Sequence, residues 1–240
     1  MRPLLALETS GKSLGVALRS ESGLLFSENV TSGSVHGRAL APLIRKALDT
    51  GGLKAAELEG VAVSLGPGSW TGLRIGLSAA KALAWGAKIA IVGVPSFEAL
   101  ARDASLRAPE HAIVTLRDAR GAGYFCAIFS DTSAGSQRWL ADSVLTHDEL
   151  VSSVERIARE HANAGISICG DAICLQAIEK DAKQRGWGVL TGSEHISAAS
   201  MAECGWRRLQ NGDCERSAAG IHKFAPLYLR ASSPELKLKS

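Results

Sequence analysis

The 240-residue sequence lacks the segments that would place it in a membrane or in an oxidising compartment. No apolar run reaches the roughly 18 to 20 residues that a membrane-spanning helix needs. The N-terminal stretch carries one arginine, but its apolar segment is too short for a signal peptide. The five cysteines form no CxxC pair, and an odd number cannot all pair within one chain. We therefore expect reduced thiols and a cytoplasmic location.

The sequence also lacks a strong excess of charge of one sign. Its 27 basic and 24 acidic residues give a formal net charge of +3. This excess permits contact with nucleic acid, but Lys and Arg do not cluster as they do in dedicated nucleic-acid-binding domains. With 46% hydrophobic and 21% charged residues, the chain has the composition of a globular protein, and its length suffices for two compact lobes.

Motifs that would identify a catalytic or metal site are missing as well. The six histidines include neither an HxxxH nor an HExxH pair, so no helical metal site is predicted. Gly11-Lys12-Ser13 lacks the first glycine of a P-loop, because Ala6 occupies that position. The loop from Gly66 to Gly72 is not GxGxxG, because Thr71 stands at the third glycine position. Ser69 does not lie in a GxSxG nucleophile elbow.

The most informative stretch is residues 60–92, which predicts a strand, a glycine loop, a helix and a second strand. Gly66-Pro67-Gly68 interrupts regular structure, because glycine permits positive φ and proline fixes its own φ. Ser69 or Thr71 can cap the helix, which should run to about Trp85 and end at Gly86. A strand–helix–strand order predicts a parallel pair with a right-handed crossover.

The helix of this stretch has more apolar surface than one sheet can cover. Arg74, Ser78 and Lys81 form a narrow polar stripe, and the other sides are apolar or small. Such a helix is normally buried on more than one side. The side that contains Gly72 and Gly76 would allow close approach of a second helix, from this chain or from another.

The order of elements predicts two lobes of one class. Residues 3–8, 14–19 and 23–28 should be strands of a meander, followed by a loop at 34–39, a helix at 39–49, the stretch 60–92 and a short helix at 96–101. This order is characteristic of a ribonuclease-H-like lobe. Residues 103–110 are a polar connector, so we divide the chain into lobes 1–105 and 106–240. The second lobe should repeat the order with strands at 111–116, 123–130, 138–145 and 165–169, helices at 146–161, 171–184 and 200–211, and an extended tail at 225–230.

Glu8, at the end of the first predicted strand, has two interpretations. Its carboxylate could bind a metal or a nucleotide, or it could accept hydrogen bonds from amides of the turn Thr9 to Lys12. The backbone amides of the loop Gly66 to Gly72, which opens a helix, could similarly hold a phosphate.

Several segments in the right order resemble the bacterial TsaB family, also called YeaZ. They are LLALETSGKSLGVAL at 4–18, VAVSLGPGSWTGLRIGLSAAKALA at 61–84, VGVPSFEALA at 92–101, DARGAGYF at 118–125 and PLYLR at 226–230. The resemblance spans nearly the whole chain, and the GPGSxTGLRIG block is highly specific. It differs at Trp70, where many relatives have Phe. It implies an α/β fold of two ribonuclease-H-like lobes in the actin, sugar-kinase and Hsp70 superfamily.

The family resemblance implies a non-catalytic subunit that supports formation of threonylcarbamoyladenosine at position 37 of tRNAs reading codons that start with A. It implies binding to a catalytic TsaD-type subunit, with a TsaE-type ATPase in the complex, tRNA contact through the complex, a homodimer when alone and no membrane association. Catalytic TsaD chains hold a metal through an HxxxH pair that this sequence lacks. The implied partner interface is built from two helices of the first lobe, and its predicted residues are Leu40, Leu43, Ile44, Ala47, Gly72, Ile75, Gly76, Ala79, Ala80 and Leu83.

A second hypothesis is a nucleotide-dependent enzyme of the sugar-kinase superfamily that uses Glu8 and the loop 66–72. The first hypothesis requires no cofactor, although weak nucleotide binding is compatible with it. The residues predicted for a nucleotide are Glu8, Thr9, Ser10, Gly66, Gly68 and Ser69. For the partner interface, we predict that Gly76→Leu abolishes partner binding and leaves the fold intact, provided that the small side of the helix faces a partner.

Overall fold

A computed structural model of the protein describes residues 1–31, 36–130, 137–162, 164–227 and 229, and of His36 it describes the backbone alone. The chain divides into two compact units. Unit 1 comprises residues 1–99 and 196–228, and unit 2 comprises residues 100–195 with 229–240.

Unit 1 is built on a five-stranded mixed sheet in the order β3-β2-β1-β4-β5. Its β1 pairs antiparallel with β2 and parallel with β4, and β4 pairs parallel with β5, which confirms the predicted meander and crossover. The elements are β1 (Leu4–Glu8), β2 (Ser13–Ser20), β3 (Gly23–Thr31), α1 (His36–Gly51), a 3-10 turn (Ala55–Glu57), β4 (Gly60–Gly66), α2 (Trp70–Ala87), β5 (Ala90–Pro95), the start of α3 (Ser96–Ser105), and then α6 (Ala198–Gln210) and α7 (Ala218–Lys223).

Unit 2 repeats this sheet topology. Its strand order is β10-β9-β6-β7-β8. In this sheet β6 is antiparallel to β7 and parallel to β9, just as β1 is antiparallel to β2 and parallel to β4 in unit 1. Its elements are β6 (His111–Asp118), β7 (Tyr124–Phe129), β8 (Arg138–Leu145), α4 (His147–Glu160), β9 (Gly165–Gly170), α5 (Ala172–Arg185) and β10 (Gly188–Val189). Each unit therefore has the strand order of a ribonuclease-H-like lobe, as predicted.

The apolar core of unit 1 explains why its helices form. Leu40, Leu43, Ile44 and Ala47 recur at helical spacing along α1 and are buried against the sheet. Full burial of each of the larger side chains contributes about 1.5–3 kcal/mol. The helix starts at His36, so the predicted loop at 34–39 is wrong for residues 36–39, while residues 34 and 35 lie outside the described part of the chain.

The division of the chain at residue 105 is corrected by the structure. The segment 103–105 is the last turn of α3, and the change of unit falls at Ala99/Leu100, inside that helix. Residues 196–228 belong to unit 1, because α6 packs on its sheet. Asn29 of β3 holds the start of this segment in unit 1. Its Nδ2 donates to the Ile196 carbonyl at 3.0 Å, and its Oδ1 accepts from the Ala198 N–H at 3.0 Å.

The segment 196–228 also covers one edge of the sheet of unit 1. Ile91 of β5 and Glu215 exchange two backbone hydrogen bonds, each 2.9 Å long. Pairing of this kind protects an edge strand from association with other chains. In the predicted extended tail at 225–230, the Leu227 N–H donates to the Leu65 carbonyl at 2.8 Å, and residues 228 and 230 are outside the described part. In the part of the chain that the structure describes, no helix is both long and apolar enough to cross a membrane.

Candidate partner-binding surface

The glycine loop after β4 is held by hydrogen bonds within unit 1. The Ser69 N–H donates to the Ser10 carbonyl at 2.7 Å, and the Ser69 hydroxyl caps α2 by accepting from the Gly72 N–H at 3.2 Å. The Gly66 N–H donates to Ser96 Oγ at 3.1 Å. These bonds occupy three of the backbone amides to which a phosphate could bind, whereas Gly68 is exposed.

The three side chains at the end of β1 are buried, and those of Glu8 and Ser10 are hydrogen-bonded to each other. Glu8, Thr9 and Ser10 are each at most 1% exposed. Glu8 Oε1 accepts from the Ser10 N–H at 2.6 Å and from the Ser10 hydroxyl at 2.5 Å. The Thr9 N–H donates to Ser64 Oγ at 3.2 Å. The structure thus confirms that the Glu8 carboxylate accepts an amide hydrogen bond from the turn that follows it.

The small side of α2 packs against this turn, not against a second helix. A Cβ atom added at Gly72 would lie 2.0 Å from the Thr9 carbonyl oxygen, and one added at Gly76 would lie 2.2 Å from Thr9 Oγ1. Both distances are far below van der Waals contact, so glycine is required for α2 to lie this close to β1. The assignment of Gly72, Gly76 and Ala80 to a partner interface is therefore corrected, because these residues are buried inside unit 1.

The other predicted interface residues divide into two groups. The α1 residues Leu40, Leu43, Ile44 and Ala47 belong to the core of unit 1 and leave no surface for a partner. Ile75, Ala79 and Leu83 are half-buried along one side of α2. These three are accessible for contact with another molecule, so the interface stays a prediction for them alone.

The exposed side of α2 contains Arg74 and Ser78 of the predicted polar stripe together with two residues, Ala82 and Trp85, from a side that was predicted to be apolar. Arg74, Ser78, Ala82 and Trp85 recur at helical spacing and are exposed, and we call them the outer face of α2. Trp85 is 70% exposed, which is unusual for so large an apolar side chain. An exposed tryptophan next to half-buried aliphatic side chains is typical of a protein–protein interface.

A notch of about 290 Å³ extends the outer face towards α7. We call it the α2–α7 notch. Lys81 fixes one wall, because its Nζ donates to the His222 carbonyl at 2.7 Å. The lining residues are Lys81, Ala82, Trp85, Ala218, Ile221 and His222. The position of Trp85 on this side of α2 could be predicted from its helical spacing. The contribution of α7 could not, because α7 is six residues long and comes from a distant part of the chain.

The charge around this surface is strongly one-sided. The helices α1 and α2, which lie side by side, and the residue that caps α2 carry six basic side chains and one acidic side chain, Asp49. The Arg74 guanidinium lies 4.3 Å from the centre of the Trp70 ring, a cation–π contact that holds it on the outer face. The basic side chains are Arg38, Arg45, Lys46, Arg74, Lys81 and Lys88. A complementary partner would present acidic groups.

Metal-ligating residues are not gathered at this surface. Within the described ranges, no group of three or more His, Cys, Asp or Glu side chains is placed to hold a metal ion.

The two sheets define the class of fold, which is an α/β protein with two ribonuclease-H-like lobes. A ROK hexokinase from Thermus thermophilus has the same fold, with a TM-score of 0.51 over 87% of this chain and 99% of that chain at 10% identity. A Pseudomonas aeruginosa protein described as similar to the peptidase YEAZ gives a TM-score of 0.80 over 96% of this chain and all of that chain, at 23% identity.

Sequence comparison gives the family. The model of TsaD, tRNA N6-adenosine threonylcarbamoyltransferase, matches residues 31–235. The tRNA threonylcarbamoyladenosine biosynthesis protein TsaB of Bacillus subtilis is 28% identical over 98% of this chain and 96% of its own length. The tRNA N6-adenosine threonylcarbamoyltransferases of Sorangium cellulosum and Trichlorobacter lovleyi are each 38% identical, and the matches cover 30% and 32% of their length. The chain belongs to the family of that model and, within it, to the TsaB (YeaZ) proteins.

Proposed function

We propose that this protein is a non-catalytic subunit required for threonylcarbamoylation of adenosine 37 in tRNAs that read codons starting with A. The proposal rests on family membership and on the TsaB similarity along nearly the whole chain. The proposal that this subunit is non-catalytic is supported by the sequence, which lacks the HxxxH pair of catalytic TsaD chains. In this role the protein acts by binding a TsaD-type subunit and needs no cofactor of its own.

The outer face of α2 is the observation that carries the proposal. Its exposed Trp85 and the adjoining α2–α7 notch supply an apolar anchor, and the surrounding Lys and Arg side chains supply a charged rim. Interfaces of this kind obtain most of their affinity from a few large, well-packed side chains, while rim charges speed association and select the partner. We therefore place the TsaD-type subunit on this face, with its acidic groups opposite Arg74 and Lys88.

The outer face of α2 also accounts for the homodimer that we propose for the isolated protein. Without its partner, the exposed patch around Trp85 should drive formation of a homodimer through equivalent α2 helices. A TsaE-type ATPase and the tRNA would join through the complex with the TsaD-type subunit.

A pair of serine variants tests the binding face. Ser78 lies at the centre of the outer face of α2, and Ser152 lies on α4 of unit 2; both are exposed helical residues. Ser78→Glu should weaken binding of the TsaD-type protein from the same cell by at least about tenfold, because it places a negative charge opposite the acidic groups of the proposed partner. Ser152→Glu should bind as the wild type does.

Calorimetric titration of the two purified proteins measures the affinities, and thermal melting verifies that both variants fold. Equal affinity of Ser78→Glu and wild type would remove the outer face from the interface. Failure of the wild-type protein to bind the TsaD-type subunit at all would refute the proposed function.

The nucleotide-dependent enzyme has weaker support. Glu8, Thr9 and Ser10 are buried, and Ser69 is engaged in capping α2. Turnover of ATP by the purified chain alone, abolished by Glu8→Gln, would favour this alternative.

A further inference from the structure

A second cavity, of about 290 Å³, lies within unit 2. It is formed where β6 ends and β7 begins, and the first turns of α4 and α5 complete it. The polar groups on its wall are Asp118, Tyr124 and His147, and the apolar ones are Ile173, Cys174 and Ala177. Asp118 and Tyr124 are directly opposite each other in the β6–β7 ladder, so their side chains belong to one patch. The volume is at the lower end of the range for small-molecule pockets, which is about 300–1,000 Å³.

A chain of hydrogen bonds fixes which groups face the cavity as donors and which as acceptors. His147 Nε2 lies 3.0 Å from Asp181 Oδ2, and His147 Nδ1 lies 3.2 Å from the Tyr124 hydroxyl. The Asp181 carboxylate accepts from Nε2. In the neutral tautomer of His147 with its proton on Nε2, Nδ1 accepts the hydroxyl proton of Tyr124, and the Tyr124 oxygen can then only accept a further hydrogen bond. The Asp118 carboxylate is an acceptor as well.

Negative charge surrounds the cavity. Burial raises the pKa of the Tyr124 hydroxyl, and Cys174, Asp181 and Asp118 raise it further. Burial, followed by Asp171 and Asp118, raises the pKa of the Cys174 thiol to about 12, so this wall stays a neutral apolar thiol.

Two sources of positive charge in this part of unit 2 are already matched by carboxylates. The amino-terminal end of α5 would favour an anion, but Asp171 occupies that position, and its Oδ2 accepts from the Asp118 N–H at 3.1 Å. Arg185 is paired with Glu155 at 2.6 Å and with Asp181 at 2.8 Å.

We propose that this cavity binds an organic cation, a guanidinium or ammonium group on an apolar stem such as the side chain of arginine or lysine. The cationic head lies between the Asp118 carboxylate and the Tyr124 oxygen and donates N–H groups to both, in addition to the Arg120 N–H from which Asp118 Oδ1 already accepts. The stem lies against Ile173, which is 65% exposed, and Ala177. The site belongs to unit 2, whereas the outer face of α2 belongs to unit 1, and the proposal does not depend on the proposed function.

The test uses the full chain and four probes. N-acetyl-arginine amide and N-acetyl-lysine amide represent side chains of a partner protein, agmatine represents a free cation, and N-acetyl-citrulline amide is the uncharged isostere of the first. Chemical shifts of the backbone amides of Gly121, Gly123 and Ala177 report binding at the cavity. We expect saturable shifts with the arginine or lysine derivative and none with citrulline. Saturation by agmatine alone would also support the site and would identify a free cation as its ligand.

Two variants and one control variant test whether the cationic probes bind at this cavity. Asp118→Asn keeps the side-chain oxygen that accepts from the Arg120 N–H and removes the charge, so it should weaken arginine binding about tenfold. Tyr124→Phe keeps the ring and should weaken binding less. Glu179→Gln removes an exposed carboxylate of α5 that does not line the cavity, and it should leave binding unchanged.

Any of three results would overturn the proposal. They are equal binding of citrulline and arginine derivatives, an equal effect of Asp118→Asn and Glu179→Gln, and no saturable shift with any cation. If Asp118→Asn fails to fold, Tyr124→Phe carries the same comparison.

Discussion

At the scale of single residues, close packing at Thr9 makes two glycines of one helix respond in opposite ways to the same change. Gly76→Ala places a methyl group against the stiff, β-branched Thr9 side chain, so we expect a loss of about 1–3 kcal/mol of unfolding free energy. Gly86→Ala meets nothing within 4 Å in the same helix and should gain up to about 1 kcal/mol. Urea denaturation of the three proteins measures both changes, and a stable Gly76→Ala variant would contradict the packing. The same close contact with Thr9 contradicts the prediction that Gly76→Leu leaves the fold intact.

The cysteines differ in burial, which predicts their order of reaction. Burial raises the pKa of the Cys126 and Cys169 thiols well above its usual range, whereas Cys214 is only half-buried. Since the thiolate is the reactive form, a disulfide reagent such as DTNB should label a single thiol of the native protein rapidly and all five in urea. Cys214→Ser should remove the rapid phase. Rapid labelling that persists in this variant would show that another thiol is accessible.

At the scale of secondary-structure elements, Asp181 joins α4 to α5. Its carboxylate accepts from His147 at 3.0 Å and from Arg185 at 2.8 Å. These contacts, the hydrogen bond with His147 above all, hold the pKa of Asp181 below its ordinary value. A carboxylate with a lowered pKa stabilises the folded state above its unfolded pKa, near 3.9, and this contribution disappears as the pH falls through the folded pKa.

Asp181→Asn should therefore lower stability near neutral pH and flatten its dependence on pH at the acid end. Urea midpoints of the variant and of the wild type between about pH 3 and pH 7 measure the difference. Parallel pH profiles for the two proteins would show that Asp181 is not responsible.

Most elements could be predicted from the sequence because their patterns are local. The apolar run at β4, the glycines after it and the helical spacing of α2 determine the strand, the break and the helix without reference to the rest of the chain. What α2 packs against could not be predicted in this way. Gly72 and Gly76 indicate close approach, but a pattern within one helix does not identify Thr9 as the group that approaches. The site residues were misassigned for that reason.

At the scale of the whole molecule, the sequence predicted two lobes but not that one of them is discontinuous. The spacing of Met201, Gly205 and Leu209 predicts an amphipathic helix and does not specify which sheet it covers. A Cβ atom at Gly205 would lie 2.5 Å from Ala62 Cβ, which shows how closely α6 packs on β4.

A chain that ends at residue 195 should therefore fail to form a stable unit 1. It would expose the face of the sheet under α6 and the edge of β5 beside Ile91, and exposed faces and edges promote aggregation. Size-exclusion chromatography and thermal unfolding should show aggregates and no cooperative transition for unit 1. Co-expression of residues 196–228 as a separate chain should restore a soluble complex. A soluble, cooperatively folded 1–195 chain would contradict the assignment of α6 and α7 to unit 1.

The discontinuity of unit 1 also has a consequence for translation. A ribosome adds about 5–20 residues per second, so several seconds separate the synthesis of α2 from that of α7. During this interval the nascent chain presents Trp85 without Ala218 and Ile221, and the α2–α7 notch does not yet exist. We expect a TsaD-type subunit to bind only after α7 has been synthesised and has folded, which would keep unfinished chains out of the complex.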